Sequence, residues 1–156
     1  MIELERKFLI PEPPAWLERC PSEPIEQAYL AVSGDWEFRV RRIGERTVMT
    51  VKHGSGERRT EVEVDIGADQ FETLRSLSDR GVAKRRHYVE DGGPTIEVDV
   101  YEGDLEGLVV GEVEFDSQQA ADEFEPPSWL GDEVTGDERY ANKRLATDGL
   151  PAPGVR

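Results

Sequence analysis

Residues 59–66 read Arg59-Thr60-Glu61-Val62-Glu63-Val64-Asp65-Ile66, an alternation in which every second side chain is ionisable. A strand sends successive side chains to opposite faces, so this stretch forms a β-strand with one charged face and one largely apolar face. The same period of two predicts eight strands in all, at about 2–10, 27–32, 36–42, 46–53, 58–66, 82–90, 95–102 and 108–115. Most are separated by short turns: Ser33-Gly34-Asp35, Gly44-Glu45, His53-Gly54-Ser55-Gly56 and Asp91-Gly92-Gly93-Pro94. Such connections suit antiparallel hairpins and are too short for parallel crossovers. Pro11-Glu12-Pro13-Pro14 stops the first strand, and a helical turn is expected over Ala15–Cys20. Helices are predicted over Ala68–Arg80, with Phe71, Leu74 and Leu77 on one face, and over Ser117–Phe124. Asp137 is placed to cap a third helix carrying Tyr140, Ala141 and Leu145.

The charged face decides the architecture. Glu3, Glu5 and Lys7 share it on the first strand, and Glu37, Arg39 and Arg41 on the third. Thr50 and Lys52 follow on the fourth, Lys84 and Arg86 on the sixth, Glu97 and Asp99 on the seventh, and Glu112 and Glu114 on the eighth. An ordinary solvent-facing sheet laced with surface ion pairs explains any one strand, but such faces mix in neutral polar residues. Here acids and bases fill the face in seven of the eight strands. The expectation is therefore a β-dominated α+β fold, an eight-stranded antiparallel closed β-barrel with a charged interior and helices flanking its apolar exterior. Buried charges need partners, and a polyanion with metal ions would supply them. Carboxylates two apart on a strand point the same way and can share a hard cation, as Glu3 with Glu5 and Glu112 with Glu114 would. Arg and Lys at positions 39, 41, 52, 59, 84 and 86 suit successive phosphates.

These residues, in order, resemble the CYTH superfamily, the triphosphate tunnel metalloenzymes. Glu3-x-Glu5-x-Lys7 is similar to its opening signature, followed by QAYL at 27–30, FRVR at 38–41, TVK at 50–52 and RTEVEV at 59–64. KRRHY at 84–88, TIEVDVYEGDLEGLVVGEVEF at 95–115 and EVTGDERYANKRLA at 133–146 complete the series. The chain looks most similar to the short bacterial members that hydrolyse inorganic tripolyphosphate. The resemblance implies a triphosphate tunnel in which Glu3, Glu5, Glu112 and Glu114 hold Mg²⁺ or Mn²⁺. Lys7, Arg39, Arg41, Lys52, Arg59, Lys84, Arg86 and Lys143 would grip the substrate. Lys84, Arg86, Glu5 and Tyr29 form the implied catalytic set, while Glu61, Glu63, Glu97 and Asp99 are acidic wall residues without an assigned role. The family usually shows Lys-x-Arg-Tyr where this chain has His87 after Arg86; His87 has the parity of the outer face. Class IV adenylate cyclase, thiamine triphosphatase and nucleoside triphosphatase chemistry share the same triphosphate grip. A non-catalytic polyphosphate-binding module is the remaining alternative.

Composition bounds the rest. The 156 residues carry 34 acids against 19 bases, a formal net charge of −15, which argues against a nucleic-acid partner. No apolar run approaches the roughly 20 residues of a membrane-spanning helix, and residues 1–7 read as the start of a strand and not a signal peptide. A lone Cys20 excludes an internal disulfide and fits a reducing cytoplasm. One domain over 1–146 with a flexible tail at 147–156 is expected, and the resemblance adds a possible homodimer. Trp16, Trp36 and Trp129 are expected as packing anchors, and His53 as a solvated loop residue. The eight acids and eight bases assigned to the site cancel, so the whole excess of −15 lies outside it.

Overall fold

The computed structural model describes residues 2–55 and 58–151, with the backbone alone for Ile2, Glu3, Ser55 and Arg58. Eight strands form: β1 (Ile2–Leu9), β2 (Ser22–Ser33), β3 (Trp36–Ile43), β4 (Arg46–Ser55), β5 (Arg58–Asp65), β6 (Gly81–Val89), β7 (Ile96–Tyr101) and β8 (Val109–Glu114). All pair antiparallel in one curled, barrel-like sheet of order β1-β5-β4-β3-β2-β6-β7-β8. β1 serves two neighbours in turn: Ile2–Leu4 pair with β5, and Glu5–Leu9 with β8. Past Leu4, residues 131–134 follow β1 through Gly131 N to Leu9 O (2.7 Å), Leu9 N to Asp132 O (2.9 Å) and Val134 N to Lys7 O (2.8 Å). This ties the C-terminal segment to the strand that carries Glu5 and Lys7.

β2 starts at Ser22, earlier than the alternation indicates, because Ser22–Ala28 pair with β6 while Ile25–Ser33 pair with β3. Pro24 costs little there, since its carbonyl still accepts from Gly44 N at 3.0 Å.

The outer face is apolar where it is covered. Phe8, Ile96, Val98 and Val113 pack beneath Leu17 of the 3-10 turn Ala15–Arg19 and beneath Leu130. Gly111 lies in this layer; a Cβ there would stand 2.8 Å from Leu130 Cδ2 and 3.3 Å from Ile10 Cδ1. Ala28, Val40 and Phe71 form a second layer under helix α1 (Ala68–Arg75). Helix α2 (Gln118–Glu123) is capped by Ser117, whose hydroxyl accepts from Ala120 N, and the Phe124 that ends it packs on Phe8 and Phe115.

Several expectations need correction. α1 ends at Arg75 and not Arg80, because Leu77 N and Ser78 N turn back to Leu74 O and Arg75 O in a tightened turn, leaving Leu77 74% exposed. The helices therefore cover only part of the exterior, and Val62 and Val64 of β5 are exposed at 59% and 45%. Asp137 caps a 3-10 turn, Glu138–Tyr140; extended Ala141 then intervenes before helix α3 (Asn142–Asp148). Trp16 and Trp129 pack edge to face (5.4 Å, 88°), but Trp36, at the start of β3, is 57% exposed and packs against the ring of His53 (4.5 Å). His53 belongs to β4, not a loop. Thr147 and Asp148, assigned to the tail, are helical, and residues 152–156 lie outside the described residues. No helix among the described residues is long and apolar enough to cross a membrane.

The inward face is not charged throughout. Val82, Tyr101 and Val110 share strand parity with Lys84, Asp99 and Glu112, yet they form an apolar plug with Leu105 and Leu145 of α3. One end of the sheet's interior is thus sealed by packing and the rest left to charge.

Candidate active site

Strand parity brings the charged side chains together around one cavity inside the sheet. Seven bases line it: Lys7, Arg39, Arg41, Lys52, Arg59, Lys84 and Arg86. Six carboxylates face them: Glu5, Glu37, Glu61, Glu97, Glu112 and Glu114. Tyr29, Ala141 and Asn142 are the only uncharged lining residues among those described. A chain of net charge −15 has here a wall with one more base than acid.

The floor is a buried ion cluster. Asp99, 0% exposed, takes a two-point fork from Arg86, Nε to Oδ1 at 2.8 Å and Nη2 to Oδ2 at 2.9 Å, and lies 2.7 Å from Lys84 Nζ. Asp99 therefore sits behind the cavity wall and holds two bases that line it. Burial opposes its charge, but Lys84 and Arg86 outweigh burial and hold its carboxyl below the usual range. Burial pulls the Lys84 ammonium down to about 8, Asp99 opposing and Arg86 reinforcing. Arg41 is lowered to about 10 by burial and by the neighbouring charges of Arg39 and Arg86.

Other pairs are loose. Lys7–Glu112, Arg39–Glu37 and Arg41–Glu63 stand at 3.5, 3.5 and 3.6 Å. The Nε atoms of Arg39 and Arg41 are buried with no hydrogen-bond partner. A buried donor left unsatisfied costs about 1–3 kcal/mol, a cost that an anion's oxygens would remove. Tyr29 is 1% exposed and accepts from Gln27 Nε2 at 2.6 Å. Burial and then Glu37 push its phenol up, so it stays neutral and keeps its proton to donate while its oxygen accepts from Gln27.

The carboxylates proposed for metal fall on neighbouring strands, with Glu5 opposite Glu114 and Lys7 opposite Glu112. Burial and then the charge of Glu112 push Glu5 up, although Arg59 donates to its Oε1 at 2.8 Å. Burial also opposes Glu112, but Lys7 and Lys84 hold it strongly ionised. Two hard carboxylates close enough to repel are a donor set that suits a hard divalent cation. Among the described residues, no three His, Cys, Asp or Glu side chains are arranged to hold a metal ion. The Glu3 side chain lies outside the described residues, and only its backbone, paired with Arg59, is placed.

The remaining assignments divide. Glu61 and Glu97 line the cavity, while Glu63 does not and instead pairs with Arg41 and Arg46. Lys143 lines an adjoining cavity with Lys7 and Arg59. Glu37 and Asn142 are lining residues that the site assignment omitted. Glu37 shares the parity of Arg39 and Arg41, which was the available signal. Asn142 Oδ1 accepts from Tyr101 Oη (2.5 Å) and Lys84 Nζ (3.3 Å), a position set by α3 that no strand pattern encodes. His87 faces outward, buried beside Leu17 and away from the charged wall.

Comparison with known proteins agrees with this geometry. The chain is 42% identical over 149 residues to an inorganic triphosphatase of Nitrosomonas europaea, covering 94% of this chain and 97% of that one. This chain belongs to the inorganic triphosphatase family. A second inorganic triphosphatase, from Acetivibrio thermocellus, is 35% identical over 146 residues, with 92% of each chain covered. A crystal structure of an inorganic triphosphatase superposes with a TM-score of 0.70 at 39% identity, covering 97% of each chain. No family model matches the chain.

Proposed function

We infer that this protein hydrolyses inorganic tripolyphosphate to pyrophosphate and phosphate. The observation that carries this reading is a cavity walled by seven bases, with buried guanidinium donors of Arg39 and Arg41 unpartnered and almost no uncharged lining. Cyclase, thiamine triphosphatase and nucleoside triphosphatase chemistry would each need surface for a ring, and Tyr29 is the only aromatic side chain in the described lining. We also propose that the sheet encloses the substrate as a closed tunnel; the three-residue register joining β1 to β5 supports it.

Lys7, Lys52, Arg39, Arg41 and Arg59 would bind and straighten the triphosphate by charge-assisted hydrogen bonds. Glu5, Glu112 and Glu114, with Glu3, would hold Mg²⁺ or Mn²⁺. Such an ion neutralises phosphate oxygens and lowers the pKa of bound water. Glu97, pushed up by burial against the pull of Arg86, would take the proton as water attacks a terminal phosphorus. The anhydride P–O bond breaks, and Lys84 and Arg86 receive the charge that develops on the leaving pyrophosphate. Tyr29 would donate to a phosphate oxygen. Phosphate release from tripolyphosphate, assayed with and without divalent metal, tests the reading. Unaltered turnover by Glu5→Gln would remove that residue from it.

A further inference from the structure

Most bases whose side chains are described have a carboxylate partner. Among the described residues, Arg19, Arg80, Arg85, Lys143 and Arg144 have no ion pair. Three of these five, Arg80, Lys143 and Arg144, line one outer cavity together with Asp35 and Glu138. Arg80 lines this cavity with its backbone fixed: its carbonyl accepts from Tyr29 N (2.9 Å) and its amide donates to Ser78 Oγ (3.1 Å). Shared lining residues place it next to the active cavity by way of a middle one. The outer cavity shares Lys143 and Glu138 with a middle one, and the middle one shares Lys7, Arg59, Glu5 and Ala141 with the active cavity. At least one base, Lys143 at the first junction and Lys7 with Arg59 at the second, is therefore common to each neighbouring pair of cavities.

A net charge of −15 repels a polyanion at long range, and only a local concentration of unpaired bases can reverse that field. We propose that the outer cavity formed by Arg80, Lys143 and Arg144 is an anion-docking site through which inorganic triphosphate reaches the active cavity. This rests on the triphosphatase reading above. The docked anion's oxygens would meet Arg80 and Arg144 first, pass to Lys143, and then to Lys7 and Arg59. Asp35 and Glu138 weaken the site, which suits a transit position better than a tight trap.

The test compares the double variant Arg80→Glu/Arg144→Glu with Arg19→Glu/Arg85→Glu, which changes net charge equally at exposed bases that line none of the three cavities. At low salt, kcat/KM for tripolyphosphate should fall about tenfold in the first variant with kcat within about twofold, and stay near wild type in the second. Near 1 M salt, where the screening length is about 3 Å, the difference should close. Equal behaviour of the two variants would overturn the proposal, as would a loss that persists at high salt with a matching fall in kcat. Calorimetric titration with tripolyphosphate supplies a second readout: the first variant should lose affinity about tenfold at low salt, and unchanged affinity would overturn the proposal. That arm needs no turnover. An inactive wild type that still binds would sink the hydrolase reading while leaving the docking site to be judged by affinity.

Discussion

Lys84 Nζ lies 2.7 Å from Asp99 Oδ2, and the two side chains are exposed by only 1% and 0%. Arg86 completes the cluster from the same strand as Lys84, so one carboxylate holds two of the bases assigned to the leaving group. Removing one member of such a buried set strands the others without compensation. Asp99→Asn should cost about 3–5 kcal/mol of stability in chemical denaturation. A loss under about 1 kcal/mol, the surface-pair range, would mean that Lys84 and Arg86 do not depend on Asp99.

The Lys84 value of about 8 gives a pH dependence with a definite sign. The ammonium is present below that pH, so kcat/KM for tripolyphosphate should fall as pH rises through about 8 in the free enzyme. Lys84→Arg should flatten this limb, because a guanidinium stays charged. For stability the sign is opposite. Between about 8 and the unfolded value near 10.4 the unfolded chain binds more protons at this residue, so its contribution makes the fold more stable as pH rises. Profiles of kcat/KM for both proteins from pH 6 to 10 give the answer; identical limbs would exclude Lys84.

The proposed assignment of the wall carboxylates to a divalent ion makes a further prediction. A chelator should abolish phosphate release and Mg²⁺ or Mn²⁺ should restore it, whereas Glu5→Gln should lower turnover by roughly 10² or more with an unchanged far-UV spectrum and melting curve. Full activity after exhaustive chelation would remove metal from the account.

Packing makes an independent prediction at Gly111. Its missing Cβ is what lets Leu130 approach, so Gly111→Ala should destabilise by about 1–3 kcal/mol through overpacking. A neutral result by thermal melting would show that residues 127–131 shift freely away from β8.

The strand count, the hairpin order and most of the cavity wall were legible because a period-two pattern fixes which side chain faces which way. What parity cannot show is where along a strand the surroundings change. Val82 and Val110 share a face with Lys84 and Glu112, yet they lie under Leu145 and form a plug, a fact set by where α3 docks. Trp36 continues the apolar alternation of β3 but runs past the covered region and is exposed. Leu77 fits the helical spacing of Phe71 and Leu74, yet the chain has already turned at Ser76. Asn142 was hidden for a related reason: it reaches the cavity from a helix end through Tyr101 and Lys84, contacts that no local pattern announces.

The most direct test of the central claim is a substrate panel on the purified chain with Mg²⁺, following phosphate and cyclic AMP together over tripolyphosphate, ATP and thiamine triphosphate. The account requires phosphate and pyrophosphate from tripolyphosphate as the dominant reaction, with far slower release from the two organic triphosphates and no cyclic AMP. Preferred turnover of ATP or thiamine triphosphate, or cyclisation, or tight binding of tripolyphosphate without hydrolysis under any divalent ion, would contradict it.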